Sequence, residues 1–268
     1  MARMRLQQAE LRDYLRTLRP QGCWCFGAGG RNPRYIPSLD DEPIEVLEDY
    51  CACPDGVARN AQDAIERSHY AAAKRQHQAA RLFHDAGVPP RFEAYTFASY
   101  PISPGSRAAF ASIQRWAESG AESLLIHGPY GTGKTSLGIA ALRYRIEQDH
   151  ADSLFLTAPG LLDRIRETYS PRRVRESDEQ ASEADVLEAV RNTSLLMLDD
   201  LGAERPTDWV QEKLFTVINH RHDNLLTTIF TSNLDPEGMA HHLGERIAWR
   251  IVEMSEVVRL DGPNLRDR

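Results

Sequence analysis

A parallel α/β sheet is the fold this sequence predicts, on three observations. From Arg91 onward, apolar runs of strand length alternate with stretches of helical pattern. One run, Ser123 to His127, leads straight into Gly128-Pro129-Tyr130-Gly131-Thr132-Gly133-Lys134-Thr135, which fits GxxxxGK[ST] at every fixed position. Another, Ser194 to Asp199, ends in two carboxylates, Asp199 and Asp200.

Taken in order, Met4, Leu6, Leu11, Tyr14, Leu15 and Leu18 recur at helical spacing before Pro20, so residues 1–20 read as an amphipathic helix. Residues 21–56 are broken by glycines and prolines, hold all four cysteines and read as a small cysteine-rich module without regular elements. Residues 57–90 read as a helical connector. Val57 to Ala86 has no internal proline, Gly87 ends it, and Pro89 and Pro90 stop it. Residues 91–268 carry the α/β pattern, with strands expected at Ser123–His127, Ser153–Thr157, Ser194–Asp199, Thr227–Ser232 and Glu256–Leu260. The polar stretch Ser170 to Glu183 reads as a surface loop.

The 268 residues are 41% hydrophobic, enough for one good core and a smaller module, which excludes a wholly disordered chain. A net charge of −7 excludes bulk electrostatic affinity for nucleic acid, so any DNA contact has to come from a local basic patch. Charges run through the first 18 residues with no apolar segment behind them, and no apolar run elsewhere exceeds strand length. Secretion and membrane spanning are disfavoured, and a cytoplasmic protein is expected.

The glycine loop follows a strand and opens a helical pattern at Ser136, the context that gives the motif its chemistry. Backbone N–H groups converge on phosphate at a helix N-terminus, Lys134 reaches the β and γ phosphates, and the Thr135 hydroxyl can ligate Mg²⁺. Because Lys134 meets phosphate charge, it is expected to face solvent until phosphate arrives. The acidic strand end belongs beside this loop. Asp199 would hold the metal, and Asp200 would polarise the attacking water, with Glu204 next in line for that task. One strand later Thr231-Ser232-Asn233 closes an apolar run, and Asn233 could bond both water and γ-phosphate.

In this order, followed by Glu245-Arg246-Ile247-Ala248-Trp249-Arg250, the motifs resemble those of an AAA+ ATPase, and more narrowly the DnaC/IstB-like group. The stretches that carry the resemblance are Ala86 to Phe92, Leu198 to Glu204, Phe230 to Leu234 and Gly262-Pro263-Asn264-Leu265-Arg266, so it covers about residues 87–266. It implies a P-loop ATPase core, a five-stranded parallel sheet with helices on both faces, using ATP with Mg²⁺. It also implies self-assembly in which neighbours complete each site, and a role in loading replicative helicases or in assisting transposition. Residue by residue, Asn233 falls at the first sensor, and Arg246 and Arg250 fall at the paired arginines from which a trans-acting finger is drawn. Arg266 falls at the terminal arginine that can meet phosphate. Arg246 and Arg250 are four apart and share a helix face, so both could reach a neighbour's nucleotide, with Arg250 favoured.

The expected nucleotide-binding set is therefore Gly128, Pro129, Tyr130, Gly131, Thr132, Gly133, Lys134, Thr135, Ser136, Asp199 and Arg266, with Thr135 and Asp199 holding Mg²⁺. The expected catalytic set is Asp200, Asn233, Arg250 and Arg246, in an ATPase that is slow without DNA or partner.

Cys23, Cys25, Cys51 and Cys53 supply four thiolates, enough to close a structural, tetrahedral Zn²⁺ site. Both pairs are CxC rather than CxxC, which leaves an iron–sulfur cluster and unligated thiols as alternatives. Some helicase loaders resemble this plan, which implies that residues 1–56 dock a replicative helicase. Arg164, Arg166, Arg172, Arg173 and Arg175, with Tyr169 for stacking, form either a single-stranded DNA surface or a solvated face, since acids crowd the same stretch. The leading reading is a helicase-loader-like ATPase whose ATP state controls assembly and grip on single-stranded DNA. The alternatives are an IstB-like transposition helper on duplex DNA and a non-hydrolysing ATP-gated adaptor.

Overall fold

A computed structural model describes residues 31–35, 46–50, 54–120, 122–149, 151–169 and 182–267. The chain falls into two units, residues 1–74 and 75–268. In the first, β1 (Arg31–Tyr35) pairs antiparallel with β2 (Val46–Tyr50), Pro33 lying opposite Glu48. The glycines and prolines of residues 21–56 therefore do not exclude regular structure as expected, because a strand in a two-stranded pair tolerates a proline whose missing N–H faces away from the partner. The helix of residues 1–20 and the four cysteines lie outside the described residues.

Helix α1 (Pro54–Asp85) ends where Gly87 takes φ 76°, and Pro89 and Pro90 prevent its continuation. The second unit holds the later part of this helix, with Ala79 and Phe83 buried. After a 3₁₀ turn at Pro90–Phe92 come α2 (Arg107–Ser119), β3 (Ser123–His127), α3 (Lys134–Asp149), β4 (Ser153–Thr157), α4 (Ala158–Thr168) and α5 (Glu183–Asn192). They are followed by β5 (Leu195–Leu201), α6 (Asp208–Asp223), β6 (Thr227–Ser232), α7 (Pro236–Leu243), α8 (Glu245–Glu253) and β7 (Ser255–Arg259). The five strands stand in the order β4-β5-β6-β3-β7, every pairing parallel.

Alternate strand residues divide the core. Leu124, Ile126, Leu195, Met197 and Ile229 face one layer with α1, α2 and α3. Leu125, Leu196, Leu198 and Phe230 face the other with α4 to α8. A sheet covered on both faces reads as continuous apolar runs, which is why these strands were legible as runs rather than as alternation. Each fully buried Leu or Ile contributes about 1.5–3 kcal/mol relative to exposure.

One buried side chain joins several elements by polar bonds. Arg221 of α6, 1% exposed, donates to the carbonyls of Val190 (3.1 Å), Arg191 (3.0 Å), Thr193 (2.8 Å) and Thr227 (2.7 Å) and to Thr228 Oγ1 (2.8 Å). It satisfies the free carbonyls at the end of α5 and ties them to the start of β6. Burial pulls its guanidinium down to about 10.

Candidate nucleotide site

All five strands run the same way, so their C-terminal ends open on one edge, and the glycine loop leaves β3 there to enter α3. Gly128 has φ 146°, and a Cβ at this position would stand 2.3 Å from the Leu260 carbonyl oxygen. Gly131, at φ 78°, would bring a Cβ within 1.9 Å of Asn264 Oδ1, because the chain after β7 folds back over the loop. That return segment also donates Leu265 N–H to Gly131 O at 2.8 Å. From the other side the Tyr100 hydroxyl donates to Thr132 O at 2.8 Å. The loop is thus held by its neighbours as well as by its own turns.

Lys134 does not face solvent as expected. It is 6% exposed, and its ammonium donates to Gly128 O (3.0 Å) and Pro129 O (2.8 Å). The physical reason is that a long cation beside a ring of carbonyls satisfies its donors there. Burial draws its pKa downward, opposed by Asp200 and Asp199.

The strand-end acids are set by a bulge. Leu198 pairs with Phe230 and Leu201 with Ser232, so β5 carries one extra residue across the step that holds Asp199 and Asp200. Asp200 takes φ 56°, a left-handed conformation that Asp tolerates better than most side chains. Asp199, 2% exposed, accepts from Thr135 Oγ1 at 2.9 and 3.2 Å and from Thr231 Oγ1 at 2.5 Å. The Thr231 hydroxyl in turn accepts the Asp200 N–H at 3.0 Å. Burial raises Asp199 to about 6, Thr231 lowers it, and Asp200 raises it further.

Tyr130, Gly131, Gly133, Lys134, Thr135, Ser136, Asp199 and Asp200 line one cleft of about 410 Å³ together with Asn233 and Arg266, while Gly128, Pro129, Thr132 and the buried Thr231 do not line it. Thr135 Oγ1 and the Asp199 carboxylate are hard oxygen donors side by side, the kind of pair that Mg²⁺ takes while keeping waters and phosphate oxygens in its other positions. The buried carboxylate has no bonded cation among the described residues, so the pair fits that ion chemically. Among the described residues no group of three or more His, Cys, Asp or Glu could hold a metal ion, and Cys23, Cys25, Cys51 and Cys53 lie outside them.

The other expected residues divide differently. Arg246 and Arg250 do not line the cleft. Their guanidinium carbons lie 4.4 and 5.5 Å from the centre of the Phe215 ring on α6, and Arg250 approaches His222 Nδ1 at 3.3 Å and Asp223 at 3.9 Å. Glu204 is committed to its own turn, its carboxylate accepting Gly202 N–H at 3.1 and 3.2 Å. In the basic stretch, Arg166 pairs with Asp163 at 3.0 Å and lies 4.8 Å from the Trp209 ring, and Tyr169 donates to Glu183. Arg164 is exposed, and Arg172, Arg173 and Arg175 lie outside the described residues.

Two parts of the site were not read from the sequence. Thr231 was seen only as part of a strand end, because its bridge to Asp199 and Asp200 depends on the β5–β6 register. Arg91, Phe92 and Tyr95 form a wall of the cleft, with the Arg91 guanidinium 4.2 Å from the Phe92 ring and the two rings 5.4 Å apart. The available signal was the Pro89-Pro90 turn that turns this segment towards the loop. Among the described residues no helix is long and apolar enough to cross a membrane.

With this geometry in view, the sequence pattern of the bacterial DnaA ATPase domain matches residues 92–254. The replicative helicase loader DnaI of Bacillus subtilis is 30% identical over 190 residues, 64% of this chain. The match spans 58% of that relative's own length. The helicase loader DnaC of Buchnera aphidicola, from Schizaphis graminum, is 27% identical over 226 residues, covering 82% of this chain and 87% of the relative. A crystal structure of the DnaC helicase loader superposes with a TM-score of 0.57 at 26% identity, over 65% of this chain and all of that one.

Proposed function

Because the chain belongs to the family of the bacterial DnaA ATPase domain, we propose that it is an ATP-binding and ATP-hydrolysing DNA-replication factor of the helicase-loader kind. The observation that carries this reading is the hydrogen-bonded set Thr135, Asp199, Thr231 and Asp200 at the mouth of the glycine loop. It supplies what phosphoryl transfer to water needs: a metal-type oxygen pair, a second carboxylate and a lysine in one cleft.

In this account the loop backbone and Lys134 cradle the phosphates, Lys134 leaving the carbonyls of Gly128 and Pro129 to do so. Thr135 and Asp199 hold Mg²⁺, which would neutralise charge on the phosphate oxygens. Asp200 takes the proton of the attacking water, and Asn233 positions that water against the γ-phosphate. Arg266 meets phosphate from the same chain. Arg250, with Arg246 one turn earlier, acts on a neighbour's nucleotide in an assembled form, since neither lines its own cleft.

The relatives named helicase loaders support a replicative helicase as partner in the cytoplasm. The proposal that residues 1–56 dock it, with Cys23, Cys25, Cys51 and Cys53 on structural Zn²⁺, rests on the four thiolates of the sequence alone. Single-stranded DNA is the proposed nucleic-acid ligand, with Arg164 and Arg166 the exposed members of the basic stretch among the described residues. The test is capture with purified partners. The ATP-loaded chain should retain a replicative helicase and a single-stranded oligonucleotide. Retention of a transposase and duplex DNA in their place would establish the transposition-helper reading, and equal ATP affinity in Lys134→Ala by calorimetry would remove the nucleotide site altogether.

A further inference from the structure

The motif GxxxxGK[ST] leaves position 131 open to any residue, yet this chain has glycine there, at φ 78°. The space beside it is taken by Asn264, whose Oδ1 would stand 1.9 Å from a Cβ at that position. Asn264 belongs to the segment that returns over the loop after β7, and its neighbours fasten it there. Its Oδ1 accepts the Arg266 N–H at 3.1 Å, and Leu265 between them donates its N–H to Gly131 O at 2.8 Å. The Leu265 side chain continues the contact, 3.0 Å from where a Cβ on Gly133 would lie. Arg266 follows and lines the cleft together with Lys134. A side-chain oxygen that accepts the N–H two residues on closes a turn and fixes the backbone there. The point from which the Arg266 side chain enters the cleft is therefore set by Asn264.

We propose that Asn264 is a positioning residue of the nucleotide site, which closes this turn against Gly131 and so holds Arg266 in register with the glycine loop for contact with phosphate. The proposal rests on the reading that Arg266 meets phosphate from the same chain, and it adds what places that cation. Asn264 does not itself line the cleft, so it acts through Arg266 rather than on the ligand. Because Leu265 is bonded to the Gly131 carbonyl, the return segment moves with the loop and not independently of it. A cation whose backbone is fixed before the ligand arrives loses less freedom on binding it. A turn that merely covered the loop would support it equally well whatever side chain stood at position 266.

Titration calorimetry of the full chain with Mg²⁺ and an ATP analogue that cannot be hydrolysed, at two salt concentrations, tests this. Arg266→Ala should weaken binding about tenfold or more and flatten its salt dependence. Asn264→Ala should change both in the same direction, with an affinity loss of about threefold to tenfold. Asn264 is exposed, so its truncation leaves the core intact. In the Arg266→Ala background Asn264→Ala should have less than about a twofold effect, since no cation remains to be placed. Asn264→Ser, whose hydroxyl can accept the same N–H, should lie nearer the parent than Asn264→Ala does. Parent-like affinity in Asn264→Ala, with Arg266→Ala weak, overturns the proposal and leaves the reading of Arg266 standing. Additive losses in the double variant, a loss in Asn264→Ala that keeps the parent's salt dependence, or Asn264→Ser as weak as Asn264→Ala also overturn it, because the turn would then serve the loop alone. If Arg266→Ala binds as the parent does, the reading of Arg266 fails and the proposal falls with it.

Discussion

The cleft and the α8 arginine face show two ways of holding charge. In the cleft, Lys134 and Asp199 are buried and each is fixed by bonds from its own chain, two for the ammonium and three for the carboxylate. On α8, Arg250 keeps part of its side chain in solvent, with its carboxylate partner Asp223 at 3.9 Å. A buried charge held by its own chain gives up those bonds only to a ligand that replaces them, as Lys134 must leave two carbonyls for phosphate, whereas a surface charge with a loose partner can exchange it for another at little cost. The contrast teaches which parts of the proposed machinery are complete within one chain and which await a second.

Several substitutions sharpen or break that contrast. The largest effect is expected for Lys134→Ala, which should abolish ATP binding by calorimetry while circular dichroism stays that of the parent. Arg221→Ala leaves several buried carbonyls unpaired and should cost about 3–5 kcal/mol in chemical denaturation. Such a loss would place Arg221 with the framework, and a small one would contradict its role as a tie between α5 and β6.

Asp199→Asn tests the strain stored in the cleft. The folded carboxyl sits at about 6 against an ordinary 3.8. Below about pH 4 both states are protonated and the group contributes nothing. As pH rises towards 6 the unfolded chain ionises first, so stability falls, and the cost is fully present above about pH 6. At neutral pH the gap corresponds to about 3 kcal/mol. Asp199→Asn should therefore raise the melting temperature of the nucleotide-free protein at pH 7, lose that advantage at pH 4, and weaken Mg²⁺-dependent nucleotide binding. A variant less stable than the parent at pH 7 would show that the carboxylate is stabilised by its two threonines more than it is penalised by burial.

Asp200→Asn should bind ATP and turn over about a hundredfold more slowly, since an amide tolerates φ 56° and cannot take a proton. Unchanged hydrolysis would place the base elsewhere, and Glu204 is a poor substitute because its carboxylate already serves Gly202. The smallest effect is on stability in Arg250→Ala, expected within about 1 kcal/mol of the parent because its ion pair is solvated.

Much of this fold was legible because buried parallel strands are written as apolar runs and the glycine loop has a fixed spacing. Four of the five expected strands differ from the observed ones by at most one residue at an end, and the fifth, expected at Ser194–Asp199, extends to Leu201 across the bulge. That bulge could not be read locally, since it exists only in the register of β5 against β6. The same holds for Thr231, and for Arg221, whose five acceptors come from residues 190–193 and 227–228. The solvent-facing Lys134 was inferred from its charge alone, before the carbonyls of Gly128 and Pro129 could be seen beside it. The pair β1–β2 was hidden by its proline. Site residues that act through local spacing were visible, and those that act through strand pairing or chain return were not.

The central claim is that one chain supplies the cleft and another the finger, and mixing Lys134→Ala with Arg250→Ala measures it most directly. Each variant alone should show little ATP turnover. At a mixed interface one chain contributes an intact glycine loop and the other an intact arginine, so the mixture should regain part of the parent's rate, rising with total protein concentration. Such fingers contribute on the order of 10³–10⁵ in rate in other phosphate-loop enzymes, so even partial rescue is readily measured. No rescue at any ratio, together with a parent rate per chain that is independent of concentration, would show that each chain works alone and that Arg246 and Arg250 serve the packing of α8 on α6.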